Sequence, residues 1–321
     1  MITEISLFHA VFQVIFCIFG LSMLTFDTIL LLATIASKSD QNIPYSYLIV
    51  MSFCGIFGKI VYIMDFASYL VLPIRLYLKY RDAIGKEVTF LGTYSYYIII
   101  FMAVLMTVNR LYVMMRPLNN KAFNRRRIFW YSGGIAVTCA IVLLIPTYSS
   151  CPINFHAGNL EFASICPEPH VLSKLLDDNS FFIVIILLAI NSSLVFYLKI
   201  SNGIHKINPS TVTSSASSSL IQFQRRREQT LMKQAIGITL FLSIYEVGKF
   251  FNQVFPEVYN KIPVPITQSY FYFRFMSVLA INFFVYYLQS MTTRKMIRKY
   301  LGIGKKVVVG NAMFATATST N

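Results

Sequence analysis

Arg110 is the residue whose position most directly indicates chemistry, because it follows the apolar run from Ile98 to Val108. A guanidinium is costly in hydrocarbon, so it either reaches the headgroups or is held by polar partners inside a helix bundle. Asn109 precedes it, and the basic run 125–127 follows. Asn109 and Arg110 therefore lie near one end of a membrane helix, where Arg110 is either a functional residue or an interfacial anchor.

Three further polar residues are placed where they could act with Arg110. Asn282 and Tyr286 are four residues apart near the end of the last apolar stretch, so they share one helix face. Glu228 lies just before the sixth apolar stretch, at the level predicted for Arg110. A Glu228–Arg110 pair would hold a closed state, and the alternative is a local pair of Glu228 with the arginines at 225–227.

A second group of polar and aromatic residues falls in the other halves of the apolar stretches. Ionisable side chains inside lipid are expensive and should face the interior of a bundle. These residues are candidates for a polar, aromatic-lined ligand cavity: Asp65, Tyr69, Tyr96, Glu246, Lys249 and Arg274. The alternative is that Glu246 and Lys249 pair at i,i+3 while the others close structural networks. Lys59, near the middle of the second stretch, needs an acid, and Asp27 and Glu246 are the candidates.

Composition places these residues in an integral membrane protein. Of 321 residues, 56% are hydrophobic and 13% are charged, and the mean hydropathy is +0.60. Such values are typical of membrane proteins and unusual for soluble domains. The net charge of +15 does not indicate nucleic acid, because the basic residues fall between apolar stretches. No phosphate loop, HExxH or paired-carboxylate motif occurs, so we expect no enzyme, metal site or cofactor.

The apolar stretches predict an all-α membrane fold with seven transmembrane helices. A helix needs roughly 20 apolar residues to cross the hydrocarbon core. The predicted spans are 7–35, 45–73, 88–113, 128–148, 179–200, 231–255 and 265–290. Together with a short amphipathic eighth helix in MTTRKMIRKYL, they form one domain over 1–301. Residues 302–321 are expected to be a disordered cytoplasmic tail.

Orientation follows from the distribution of Lys and Arg between the spans. Most of these residues fall after spans one, three and five and in the tail, and a smaller group lies mainly in 75–86, which we predict to be a loop. Cytoplasmic loops carry the excess of positive charge. The N-terminus is therefore predicted outside and the C-terminus in the cytoplasm, where the basic face would also bind acidic lipids.

Three motifs resemble those of the serpentine chemoreceptors of nematodes, a divergent branch of rhodopsin-like G-protein-coupled receptors. They are TVNRLYVMMRPLN after the third span, RRREQTLMKQA before the sixth, and NFFVYYLQS at the end of the seventh. Class xa or class v is the subclass that the chain resembles. The resemblance implies a rhodopsin-like bundle in the plasma membrane, including sensory cilia. It also implies a small-molecule ligand outside and a heterotrimeric G protein inside.

The chain departs from the rhodopsin-like pattern at several positions. Asn109 replaces an acid and Phe283 replaces a proline, so we expect the proline kink to be absent. The family's cysteine at the top of the third helix is missing. A disulfide within the loop, between Cys151 and Cys166, is the natural alternative and would stabilise by ~3 kcal/mol in the chain-entropy model. Two alternatives to this disulfide remain: two free thiols, or a zinc site that includes His156 and His170.

Two other functions are compatible with seven spans. One is a ligand-gated cation channel of the insect gustatory type, which has its N-terminus inside, so the distribution of basic residues argues against it. The other is a small-solute carrier that would use Lys59 and Arg274 as substrate sites. No internal repeat is visible in the sequence, which weakens this second reading.

Overall fold

The computed structural model describes residues 7–37, 45–115, 122–158, 160–164, 166–167, 169–207, 215–259 and 261–303, with backbone alone for 45, 125, 161, 199, 201–207 and 215–231. The long helices are α1 (Leu7–Ala36), α2 (Tyr45–Val71), α3 (Ile74–Met115), α4 (Arg125–Thr147), α5 (Val171–Ile207) and α6 (Ser215–Val254). They are followed by the single turn α7 (Pro256–Tyr259), then α8 (Val264–Leu279), a π-helical segment (Phe283–Leu288) and α9 (Met291–Tyr300). Of the predicted tail, 302–321, the part from 304 onward lies outside the described residues.

The long helices form because apolar runs in lipid must satisfy their backbone hydrogen bonds internally. Within the described residues, α1 to α4 and the Val171–Leu198 part of α5 are long and apolar enough to cross a membrane. α6 and α8, with its π-helical continuation, complete the ring. Large apolar side chains such as Ile18, Leu21 and Phe196 are exposed on the outside of the bundle. The predicted seven-transmembrane bundle is therefore confirmed, with its apolar surface facing the lipid.

α3 is the central helix, since it contacts α2, α4, α5 and α6. Ile98, Ile100 and Met102 are fully enclosed in the core around it. The helix begins at Ile74, so the prediction of a loop over 75–86 is wrong. Tyr77 is buried on one face of this extension while Arg75 and Lys79 are exposed on the other. The charges that indicated a loop instead occupy the polar face of an amphipathic helix.

A β-hairpin covers one end of the bundle, which we call the hairpin end. β1 (Ile153–His156) pairs antiparallel with β2 (Glu161–Ser164), and a disulfide joins Cys151 to Cys166 at the open end of the hairpin. The backbone N–H of Phe155 donates to Thr89 Oγ1 of α3 at 2.9 Å. These contacts hold the hairpin against α3 at this end of the bundle.

The opposite end, which we call the α9 end, carries the amphipathic helix. Ser290 precedes α9, and its hydroxyl oxygen accepts from the Thr293 backbone N–H at 3.3 Å, which is a standard N-terminal cap. Met296 and Ile297 are buried where α9 packs on α1, and Arg298 and Lys299 lie in its last turn. The predicted short amphipathic eighth helix is therefore confirmed.

Candidate functional site

A cavity of about 790 Å³ lies at the hairpin end between α3, α5, α6 and α8. Its volume falls within the usual range for small-molecule sites, about 300–1,000 Å³. The hairpin contributes Ile153 and Phe162 to its wall. The helices contribute aromatic rings, among them Tyr62, Tyr96, Tyr97, Tyr245 and Phe271. The cavity is therefore aromatic over much of its lining, with a small number of charged side chains at fixed places.

Glu246 connects three helices behind this lining. It is fully buried on α6. Its Oε1 accepts from the Tyr96 hydroxyl of α3 at 2.5 Å, and its Oε2 accepts from the Ser180 hydroxyl of α5 at 2.9 Å. A buried carboxylate is tolerated when its oxygens are satisfied in this way. Glu246 is therefore a junction through which a change at the cavity wall would reach α3, α5 and α6 together.

Lys249 extends the same network to the cavity mouth. Its ammonium donates to Ser180 Oγ at 3.2 Å and forms a 2.7 Å ion pair with Asp177 Oδ1. Among the residues that the structure describes, it forms no i,i+3 ion pair with Glu246, because the side chain turns toward α5 instead. Tyr96, Glu246 and Lys249, which the sequence grouped, are thus brought together, with Asp177 and Ser180 as partners.

Arg274 enters the cavity wall from α8. Its Nε donates to the Tyr245 carbonyl oxygen at 3.0 Å, and its guanidinium carbon lies 4.6 Å from the centroid of the Tyr245 ring. Only 7% of the residue is exposed. Gly248 of α6 permits this approach, because a Cβ there would lie 2.8 Å from Arg274 Cδ and closer still to Tyr270. The guanidinium is therefore held at a defined place in the lining.

Asp65 and Tyr69 lie apart from the other four predicted ligand residues. They are buried but are not among the residues that line the cavity. Tyr69 packs against Tyr77 with ring centroids 4.9 Å apart, inside an aromatic cluster under the hairpin that also contains Phe155. The Asp65 carboxyl group interacts electrostatically with the positive charge of Arg81. Their geometry is that of a structural cluster supporting the hairpin.

An ion pair occupies the middle of the bundle. Lys59 of α2 and Asp27 of α1, which are 3% and 1% exposed, pair at 2.5 Å. Asn282 donates its side-chain N–H to the same Asp27 oxygen at 2.9 Å. Of the two acids considered for Lys59, the structure therefore selects Asp27. A Cβ on Gly55 would overlap Asp27 and Asn282, so this glycine gives the three groups room to meet.

Arg110 lies toward the α9 end, 7% exposed, within electrostatic range of the Tyr47 and Tyr286 hydroxyls. Its Nη1 and Nη2 have no hydrogen-bond partner among the described residues. Tyr286 is fully buried and belongs to the π-helical segment that begins at Phe283. The sequence did not predict this π-helical segment at the position where the family has its proline. The side chain of Glu228 lies outside the described residues.

Several site residues were missed because their role depends on neighbours distant in the chain. Asp177 and Ser180 resemble ordinary residues at a helix start, and Tyr245 resembles a core aromatic. The only available signal was that Asp177 and Asp178 lie near the start of an apolar stretch. Burial raises the pKa of Tyr259, which also lines the cavity, while Arg274 opposes this shift.

The described residues contain no group of three or more His, Cys, Asp or Glu that could hold a metal ion. His156, considered for a zinc site, contacts Arg81 instead, with its Nδ1 at 2.8 Å from the guanidinium. Cys151 and Cys166 are bonded to one another, which leaves no thiolate there for a metal.

These features define the class, which is a rhodopsin-like seven-helix membrane protein. Squid rhodopsin superimposes with a TM-score of 0.64 at 14% identity, covering 94% of this chain and 87% of that one. A likeness at this identity concerns the fold alone.

Sequence comparison points to the family. A sequence model of the Caenorhabditis serpentine receptor-like proteins, class xa, matches residues 42–192. "Serpentine receptor class XA 10" of Caenorhabditis elegans is 26% identical over 284 residues, which is 84% of this chain and 83% of the relative. The resemblance to the nematode serpentine receptors is thus confirmed, and of the two subclasses considered, class xa is the one that matches.

Proposed function

We propose that this protein is a G-protein-coupled chemosensory receptor that binds a small chemical from outside the cell and activates a heterotrimeric G protein. The observation that supports this most is the combination of a ligand-sized cavity at the hairpin end with a buried Arg110 toward the α9 end, whose terminal nitrogens have no hydrogen-bond partner among the described residues. A receptor needs both features, since it must bind at one end and act at the other. The serpentine receptor family supports the same function.

Ligand binding would act through the Glu246 network. A ligand changes the balance of two conformations by the difference in its affinity for them. Glu246 is bonded to α3 and α5 through Tyr96 and Ser180, so a ligand that displaces Tyr96 alters the position of α6 relative to both. The α9 end of α6 would then move away from α3, which opens a cleft for the G protein beside Arg110.

Arg110 would be the main contact for that partner. Its two terminal nitrogens can donate to backbone carbonyls or to a carboxylate of an inserted segment. In the closed state, Glu228 would hold Arg110, and Asn282 and Tyr286 would link the change to α1 and the π-helical segment. The hairpin end would face outward in the plasma membrane, with the N-terminus outside and the basic α9 end in the cytoplasm.

A chemical screen tests the proposal. Cells expressing the protein would be exposed to volatile and soluble chemicals with intracellular calcium as the readout, and we expect at least one to evoke a response absent from control cells. Glu246→Gln should weaken that response about ten-fold or more, because it removes charge from two hydrogen bonds. Asp82→Asn, at an exposed site on α3, is the matched control and should leave it unchanged. Equal responses from wild type and Glu246→Gln would contradict the assigned route.

A further inference from the structure

The cavity contains a cation that the protein itself does not neutralise. Only 7% of Arg274 is exposed, yet no carboxylate of the described residues lies within 4.0 Å of its guanidinium. Of its five N–H donors, Nε is bonded to the Tyr245 carbonyl. The four terminal N–H groups have no hydrogen-bond partner among the residues described, and Arg274 is one of the residues that line the cavity. A buried charge in this state favours an incoming anion.

The nearby acids are already engaged or lie elsewhere. Asp177 forms its ion pair with Lys249, and both oxygens of Glu246 accept hydrogen bonds from hydroxyl groups. Asp178 also lines the cavity but is exposed, and it forms no ion pair with Arg274 among the described residues. Among the described residues that line the cavity, Arg274 is therefore the buried charge without a carboxylate partner, whereas Lys174 and Asp178 are exposed.

Several contacts hold the Arg274 guanidinium in a defined position. The Tyr245 carbonyl fixes Nε, the Tyr245 ring lies beneath the guanidinium, and the Tyr270 ring centroid is 5.9 Å away. A guanidinium held against aromatic faces keeps its outer edge free to form two parallel hydrogen bonds with a carboxylate. Gly248 supplies the space that lets the side chain lie against α6.

We propose that the ligand of this cavity is a small carboxylic acid whose carboxylate forms a two-point pair with Arg274. Its apolar or aromatic body packs on the rings of Tyr96, Tyr97, Tyr245 and Phe271, which line the same space. The inference deepens the proposed receptor function and rests on it only in taking this cavity as the ligand site. It excludes amines as the preferred class, because they would meet the positive charge of Arg274.

Matched compounds test this inference by binding alone. Benzoate, phenylacetate and 3-phenylpropionate, each with its methyl ester and its corresponding amine, would be added to purified full-length protein in detergent. The thermal unfolding midpoint gives the binding curve, since a ligand bound to the folded state alone raises it. We expect acids to raise the midpoint in wild type, while esters and amines do so weakly or not at all.

Variants then assign the effect to Arg274. Arg274→Gln should weaken acid binding about ten- to a hundred-fold and bring acid and ester to similar affinity. Arg274→Lys keeps the charge without the two-point geometry, so it should still prefer acids at reduced affinity. Arg75→Gln, which removes an exposed positive charge on α3 outside the cavity lining, should change little. Unliganded midpoints check that each variant folds.

Three results would overturn the inference: esters or amines binding wild type better than acids, acids binding Arg274→Gln as tightly as wild type, or no acid of the series binding at millimolar concentration. Because no G protein is present, none of them bears on nucleotide exchange. A protein that signals but fails this test is a receptor for another ligand class. One that binds acids but does not signal retains the site and contradicts the proposed function.

Discussion

Several charged side chains lie inside the membrane-spanning bundle, and their charges are compensated in different ways. Asp27 and Lys59 neutralise one another, Glu246 accepts from two hydroxyl groups, and Arg110 is left with unpartnered terminal nitrogens among the described residues. Matched groups stabilise a conformation, whereas an unmatched group has free energy to gain from a partner. The residues expected to act are therefore those left unmatched.

Lys59 offers a direct test of the matched case. Lys59→Met leaves Asp27 as a buried carboxylate supported by Asn282 alone, so we expect a loss of about 3–5 kcal/mol in stability. Asp27→Asn combined with Lys59→Met should recover most of it, because no charge then remains buried. Thermal unfolding in detergent measures both, with Lys79→Met at an exposed site on α3 as control. A double variant no more stable than Lys59→Met would refute the pair.

At the scale of elements, the sequence fixes the apolar spans but not what extends or interrupts them. The run from Ile98 to Val108 could only be a buried membrane helix. The charges at 75–86 looked the same as loop charges, because amphipathic helices and loops both expose them. The π-helical segment after Asn282 has no signature in residue type, since Phe and Tyr suit either helix. The choice of Asp27 for Lys59 required the packing of α1 on α2.

The approach of α6 to α8 depends on Gly248. Gly248→Ala places a methyl group against Tyr270 and Arg274, so we expect a loss of about 1–3 kcal/mol from overpacking together with weaker binding of acids. Gly133→Ala on α4 meets nothing within 4 Å and should be neutral or slightly stabilising, since alanine favours helix. Unfolding midpoints of the two variants make the comparison, and equal midpoints would contradict the packing described.

For the whole molecule, the proposed receptor function requires one orientation in the membrane. The basic residues of α9 and of the segments after spans three and five should remain in the cytoplasm. Sequence alone predicted the class of fold, because seven apolar stretches allow few other arrangements. Three of the six predicted ligand residues, Tyr96, Lys249 and Arg274, line the cavity. The sequence could not separate Asp65 and Tyr69 from them, since this depends on where the hairpin lies.

Glycosylation tags test the orientation. An acceptor sequence added at the N-terminus should be modified in cells, and the same sequence added at the C-terminus should not. Surface labelling confirms that both forms reach the membrane. The reverse pattern would favour the gustatory channel topology and remove the basis for a cytoplasmic Arg110.

Nucleotide exchange on a reconstituted heterotrimeric G protein tests the central claim most directly, with Arg110→Ala compared to wild type in lipid nanodiscs. For a chemical active in the cell screen, wild type should accelerate exchange and Arg110→Ala should not, while its surface amount and its ligand-induced rise in unfolding midpoint stay unchanged. Arg298→Ala, at an exposed site on α9, should behave as wild type. Full ligand-stimulated exchange by Arg110→Ala would contradict the account.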